Sequence, residues 1–100
     1  MILVTAAIIR KEQHILIARR AQGRHLEGFW EFPGGKIEPG ETPEACLKRE
    51  VYEELGIQIM VDSFIMENQH DYPDKRISLQ AYYCSFLSGT IRLLDHDSRN

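Results

Sequence analysis

Glu50, Glu53 and Glu54 stand at i, i+3 and i+4 in the stretch Arg49-Glu50-Val51-Tyr52-Glu53-Glu54-Leu55. If that stretch is helical, the three carboxylates share one face within about a turn. Like charges at this spacing repel, and each pair destabilises a helix by about 0.2–0.5 kcal/mol. A face serving only solubility would intersperse lysines. Gathered carboxylates make chemical sense around a hard divalent cation, because Mg²⁺ takes oxygen ligands and usually keeps several waters. A cation held this way acidifies a bound water, and a carboxylate in reach can accept its proton.

The elements that must position these acids can be read from the same region. Thr42 followed by Pro43 is a hydroxyl N-cap with proline at the first helical position. The predicted helix runs to about Leu55 and stops at Gly56, which suits a left-handed C-terminal position. Leu47, Val51 and Leu55 repeat at i, i+4 and i+8 and form the face that packs on a sheet, and the acids lie mostly off it. Upstream, Gly34-Gly35 and Pro39-Gly40 are turns. Met1 to Arg10 is rich in Ile, Val and Thr and reads as a central strand, pairing in a hairpin with His14 to Arg20. Ala21 to Gly28 reads as a loop, and Phe29 to Phe32 as a short strand ending at Pro33. Ile57 to His70, a turn at Asp71–Asp74 and Arg76 to Leu87 form a second hairpin. Ser88-Gly89 turns the chain, Thr90 to Leu94 is a last short strand, and Asp95 to Asn100 carries no pattern. The expectation is an α/β chain with a mixed β-sheet and one well-defined helix.

The composition excludes several classes. One hundred residues make one small domain. With 43% hydrophobic and 27% charged residues the chain is an ordinary globular protein. A net charge of −3 offers no basic field for a nucleic-acid polymer or a membrane surface. The apolar run at the N-terminus is too short to span a bilayer and lacks a basic leader. Cys46 and Cys84 form no C-x-x-C pair and read as reduced thiols, so a cytoplasmic location is expected. The four histidines show no zinc-like spacing.

From Gly35 to Ile57 the residues fit G-x5-E-x7-R-E-U-x-E-E-x-G-U, where U is a bulky aliphatic. Gly35, Glu41, Arg49, Glu50, Glu53, Glu54 and Gly56 fill the fixed positions, with Val51 and Ile57 as the aliphatics. At average residue usage, seven fixed residues match by chance on the order of 10⁻⁸ per start site. The stretch resembles the Nudix box of the Nudix hydrolases, pyrophosphohydrolases acting on nucleoside diphosphates linked to another group. Trp30-Glu31-Phe32-Pro33-Gly34-Gly35-Lys36, Arg19-Arg20 and Tyr72-Pro73-Asp74-Lys75-Arg76 look like the MutT branch, whose best-known substrate is 8-oxo-dGTP.

The resemblance implies a Nudix fold, a mixed β-sheet sandwiched by helices, as a single domain over 1–100 with its box at 35–57. It implies hydrolysis of a nucleoside triphosphate to the monophosphate and pyrophosphate with Mg²⁺, for which Mn²⁺ can substitute. Other readings are a CTP-type pyrimidine nucleotide, ADP-ribose or a dinucleoside polyphosphate as substrate, or a silent nucleotide-binding domain. Glu53 and Glu54 are the expected metal ligands, with Glu50 as a ligand or as the base. Arg49 orients a catalytic carboxylate, and an ordinary i,i+4 ion pair is equally compatible. Glu41 either reaches the metal site or ties its loop down. Gly34 and Gly35 are turn residues that also let backbone approach a metal and phosphate. Asp95, with Asp97 as competitor, matches a loop acid that supplies a further metal ligand or the base. Arg20, His25, Phe32 and Tyr72 match positions lining the nucleotide pocket, Trp30 reads as core, and Cys46 as a small packing residue. Family members continue with another strand and a closing C-terminal helix. The expectation is therefore a shortened chain, or packing supplied by a partner subunit as in a homodimer.

Overall fold

The computed structural model describes the backbone over residues 1–16, 18–20, 30–91 and 96–99, and side chains over 1–16 and 32–91. Seven strands of it fall in two sheets. The larger has the order β2–β1–β6–β5, built from β1 (Ile2–Lys11), β2 (His14–Leu16), β5 (Ile57–Tyr72) and β6 (Lys75–Gly89). The smaller has the order β4–β3–β7, from β3 (Ala18–Arg20), β4 (Trp30–Glu31) and β7 (His96–Arg99). β1 runs parallel to β6, with Ile2 opposite Ile77 and Arg10 opposite Ser85, while β1–β2 and β5–β6 are antiparallel. The sheet is mixed, as expected. Among the described residues one helix, α1 (Pro43–Leu55), packs on it, against β5 and β1.

The helix forms where its punctuation places it. The Thr42 hydroxyl accepts the Ala45 N–H at 3.1 Å, satisfying one of the orphan donors of the first turn. Gly56 has φ +75 and donates its N–H to the Tyr52 carbonyl at 2.9 Å. Only glycine enters that left-handed region without a steric penalty. Leu47, Val51 and Leu55 are buried as the stripe requires, and Cys46 joins them. They meet Ala7 and Ile9 of β1, Ile57 and Ile59 of β5, and Tyr82 and Cys84 of β6 in one core. Each large aliphatic buried there stabilises the fold by about 1.5–3 kcal/mol, so Leu47→Ala is expected to cost about 2–5 kcal/mol in urea titration.

The strand expectations need three corrections. Ser88-Gly89, expected to turn the chain, instead end β6, paired with Gln58 and Ile57 of β5. The single strand expected over His14–Arg20 is two, β2 in the larger sheet and β3 in the smaller, so the hairpin with β1 stops at Leu16. Of the strand expected over Thr90–Leu94, Thr90 and Ile91 are in no strand and 92–94 lie outside the described residues, while β7 forms at His96–Arg99, where no pattern was expected. A His-Asp-Ser-Arg stretch carries no apolar alternation; its pairing is with β3, a partner that local pattern does not reveal.

Both thiols are sealed in. Cys46 and Cys84 are buried and unbonded to each other, and burial pushes the Cys84 thiol up to about 12. Burial likewise raises Cys46. Only thiolate reacts readily, so folded protein is expected to leave both cysteines untouched by a chromogenic disulfide reagent at pH 8, and denaturant should expose two equivalents. A thiol titrating in native buffer would contradict this packing.

Candidate active site

The turn before the helix lies against β1. Thr5 N–H donates to the Gly35 carbonyl at 2.8 Å, Ala7 N–H to Pro33 at 2.7 Å, and Ile37 N–H to Leu3 at 2.9 Å. Residues 33–37 therefore form an extra antiparallel rung along β1, with Val4 opposite Lys36. The two glycines have distinct reasons. A Cβ on Gly34, whose φ is +151, would stand 2.0 Å from the Thr5 carbonyl oxygen. A Cβ on Gly35 would stand 2.5 Å from the carboxyl carbon of Glu50. The first glycine admits the strand beneath, and the second admits the Glu50 carboxylate above.

Arg49 is the hub of the acids. Its Nε and Nη2 donate to the two oxygens of Glu41 at 2.7 and 3.0 Å, a bidentate pair. Its Nη1 donates to Glu50 Oε1 at 2.8 Å and Glu53 Oε1 at 3.1 Å, and Nη2 also reaches the Lys36 carbonyl at 3.2 Å. One guanidinium thus spans the loop and two of the helical carboxylates, more than the i,i+4 pair that spacing alone suggests. Glu54 reaches the glycine turn itself and accepts the Gly34 N–H at 3.1 Å.

Glu41 ties its loop down. Besides Arg49 it accepts the Glu38 N–H at 3.0 Å, and its side chain is only 14% exposed. The Arg49 hydrogen bond, helped by the Glu38 N–H, holds its carboxyl at about 2, below the usual 4.5, and raises Arg49 in return. A carboxyl whose folded value is depressed contributes stability above its ordinary range and loses it as pH falls. The contribution should be complete above about 4.5 and fade toward about 2. Acid-induced melting of Glu41→Gln is therefore expected to be flatter through that window than that of the parent chain; identical profiles would contradict the assignment.

The donors fit a hard cation. Glu50 and Glu53 each give Oε1 to Arg49, and Oε2 of each accepts no hydrogen bond from a described residue. All are carboxylate oxygens, the ligand type Mg²⁺ and Mn²⁺ prefer. As placed, no three acidic, histidine or cysteine side chains among the described residues already cage an ion. Glu53, with its side chain 58% exposed, has the freedom to swing inward.

Other expected positions divide. Gly34, Gly35, Glu41, Arg49, Glu50, Glu53 and Glu54 come together as one cluster. Phe32 is exposed just before Pro33, at the edge of that cluster in sequence. Tyr72 lies at the tip of the β5–β6 hairpin, packed on His70 and beneath the Lys75 ammonium. Arg20 has its backbone in β3 and Asp97 in β7; their side chains, with His25 and Asp95, lie outside the described residues, as does the Trp30 side chain. Sequence reasoning missed Thr5, whose hydroxyl lies 3.1 Å from the Gly35 carbonyl and 3.4 Å from Cys46 Sγ. Its signal was present: a lone hydroxyl in the apolar run Ile2-Leu3-Val4-Thr5-Ala6-Ala7-Ile8.

A glycine turn seated on a central strand, followed by a helix whose arginine gathers carboxylates, is the arrangement the box between Gly35 and Ile57 led one to expect. The NUDIX domain family matches residues 2–97, and the chain belongs to this family of pyrophosphohydrolases. It is 41% identical over 80 residues to an 8-oxo-dGTP diphosphatase of Proteus vulgaris, covering 80% of this chain and 71% of that protein. It is 38% identical over 98 residues to a CTP pyrophosphohydrolase of Escherichia coli K12, covering 98% and 73%. The solution structure of the E. coli ORF135 protein superposes with a TM-score of 0.87 at 37% identity, over 99% of this chain and 71% of that one. The relatives place it in the MutT-like part of the family. No helix among the described residues is long and apolar enough to cross a membrane.

Proposed function

We propose that this chain, as a single Nudix domain, hydrolyses a nucleoside triphosphate to the monophosphate and pyrophosphate, with an oxidised purine such as 8-oxo-dGTP as its preferred substrate. The observation that carries the reading is Arg49 holding Glu50 and Glu53 by one oxygen each, with the Glu50 carboxylate lying against Gly35 of the glycine turn. A divalent cation, Mg²⁺ or Mn²⁺, would be held by Glu53, Glu54 and Glu50, and would supply charge neutralisation at the phosphates and a more acidic water. Glu50 accepts the proton of the attacking water at its open oxygen. Arg49 keeps that carboxylate aimed, and Glu41 fixes Arg49 to the loop. Gly34 and Gly35 keep the backbone low enough for phosphate to approach.

A second reading is supported by the CTP pyrophosphohydrolase relative, whose match runs nearly the full length of this chain. A panel of nucleotides with Mg²⁺ or Mn²⁺, assayed for pyrophosphate against orthophosphate, separates the two. Pyrophosphate mainly from 8-oxo-dGTP supports the first, and mainly from CTP or dCTP the second. Release only from ADP-ribose or a dinucleoside polyphosphate would move the activity elsewhere in the family, and no release at all would leave a nucleotide-binding domain.

A further inference from the structure

Thr5 sits where the main strand, the glycine turn and the helix meet, and it is 2% exposed. Its Oγ1 lies 3.1 Å from the Gly35 carbonyl oxygen and accepts the Gly35 N–H at 3.4 Å, so one hydroxyl engages both polar ends of that residue. On the helix side it touches Cys46 Sγ at 3.4 Å, and the Cys46 thiol donates to the Lys36 carbonyl at 3.2 Å. Gly35 is in turn the surface on which the Glu50 carboxylate lies.

We propose that the Thr5 hydroxyl is a positioning residue for Glu50: it fixes the Gly35 peptide, and so the height and tilt of the surface that seats this carboxylate. The inference rests on the reading of Glu50 as proton acceptor or ligand. A buried threonine that merely satisfied itself in the core would contribute to melting temperature and nothing else. Thr5 differs because its partners belong to the residue touching the reacting carboxylate. Without the hydroxyl, the half-buried Gly35 N–H loses the acceptor found for it among the described residues, and an unmatched donor there draws the peptide toward another partner.

The test compares Thr5→Val, which keeps the shape and removes the hydroxyl, with Thr5→Ser, which keeps the hydroxyl. Amide hydrogen exchange at Gly35 is read by NMR, and kcat and KM for the preferred nucleotide are read beside it. In Thr5→Val, Gly35 exchange is expected to rise, and kcat to fall about 3- to 10-fold, the weight of one hydrogen bond, with KM unchanged. Thr5→Ser should restore both. Gly35 exchange in the valine variant equal to the parent's, a loss confined to KM, or failure of serine to restore would each overturn the proposal. If the parent itself releases no pyrophosphate, the hydrolase reading fails, while the exchange rates still decide whether the hydroxyl holds the turn.

Discussion

Glu50→Gln is expected to lower metal-dependent pyrophosphate release by about 10²–10⁴-fold, the usual worth of a positioned general base. The melting temperature should stay at the parent's value. Glutamine keeps an oxygen for Arg49 Nη1, so the 2.8 Å contact that holds this side chain survives. What disappears is the second carboxylate oxygen, which no described residue occupies and which the reading assigns to the water proton or a cation. Glu53→Gln should abolish turnover comparably, with a higher metal concentration needed for half of whatever activity remains. Assay of both variants across Mg²⁺ and Mn²⁺ titrations, with circular dichroism to show they are folded, is decisive. A near-parent rate in either would remove that residue from the site. Because Arg49 joins Glu41, Glu50 and Glu53, paired substitutions among these four should be non-additive.

The second large effect separates two adjacent glycines. Gly34→Ala puts a methyl 2.0 Å from the Thr5 carbonyl oxygen, which is backbone and cannot rotate away. It also forces a φ of +151 on a residue with a side chain. The turn and β1 must separate, at a cost expected to exceed about 3 kcal/mol. In Gly35→Ala the atoms nearest the methyl are the end of the Glu50 side chain, which can swing aside. This variant should remain folded with near-parent melting and lose most of its turnover, because Glu50 has been displaced. Urea denaturation and activity measured on both variants check the contrast. Equal stability of the two would refute the account of the turn, and full activity in Gly35→Ala would refute the seating of Glu50.

Much of this was legible in residue types. The helix bounds followed from Thr42, Pro43 and Gly56, because caps act through local geometry that the sequence states directly. The buried stripe followed from the period of Leu47, Val51 and Leu55. The box glutamates were legible as a set because their number and spacing are costly without a use. Their division of labour was not. Glu50 and Glu53 pair with Arg49 of their own helix, whereas Glu54 accepts the Gly34 amide of a loop twenty residues earlier in the chain. Thr5 was hidden for the same reason, since its partner Gly35 lies thirty positions away. The partition of His14–Arg20 between two sheets, and β7, also depended on distant partners, which single-strand alternation does not encode.

The parallel pairing of β1 with β6 sets the timing of assembly. Ile2 finds Ile77, so the strand beneath the glycine turn acquires this neighbour only after most of the chain exists. On the ribosome, the box helix would leave the exit tunnel well before β6. Its acids would wait, solvated and unaligned, for a contact of high sequence separation that closes slowly. Nascent chains halted before Lys75 should therefore carry every box carboxylate, with Thr5 and Gly35, and still lack the strand that flanks β1 on its parallel side.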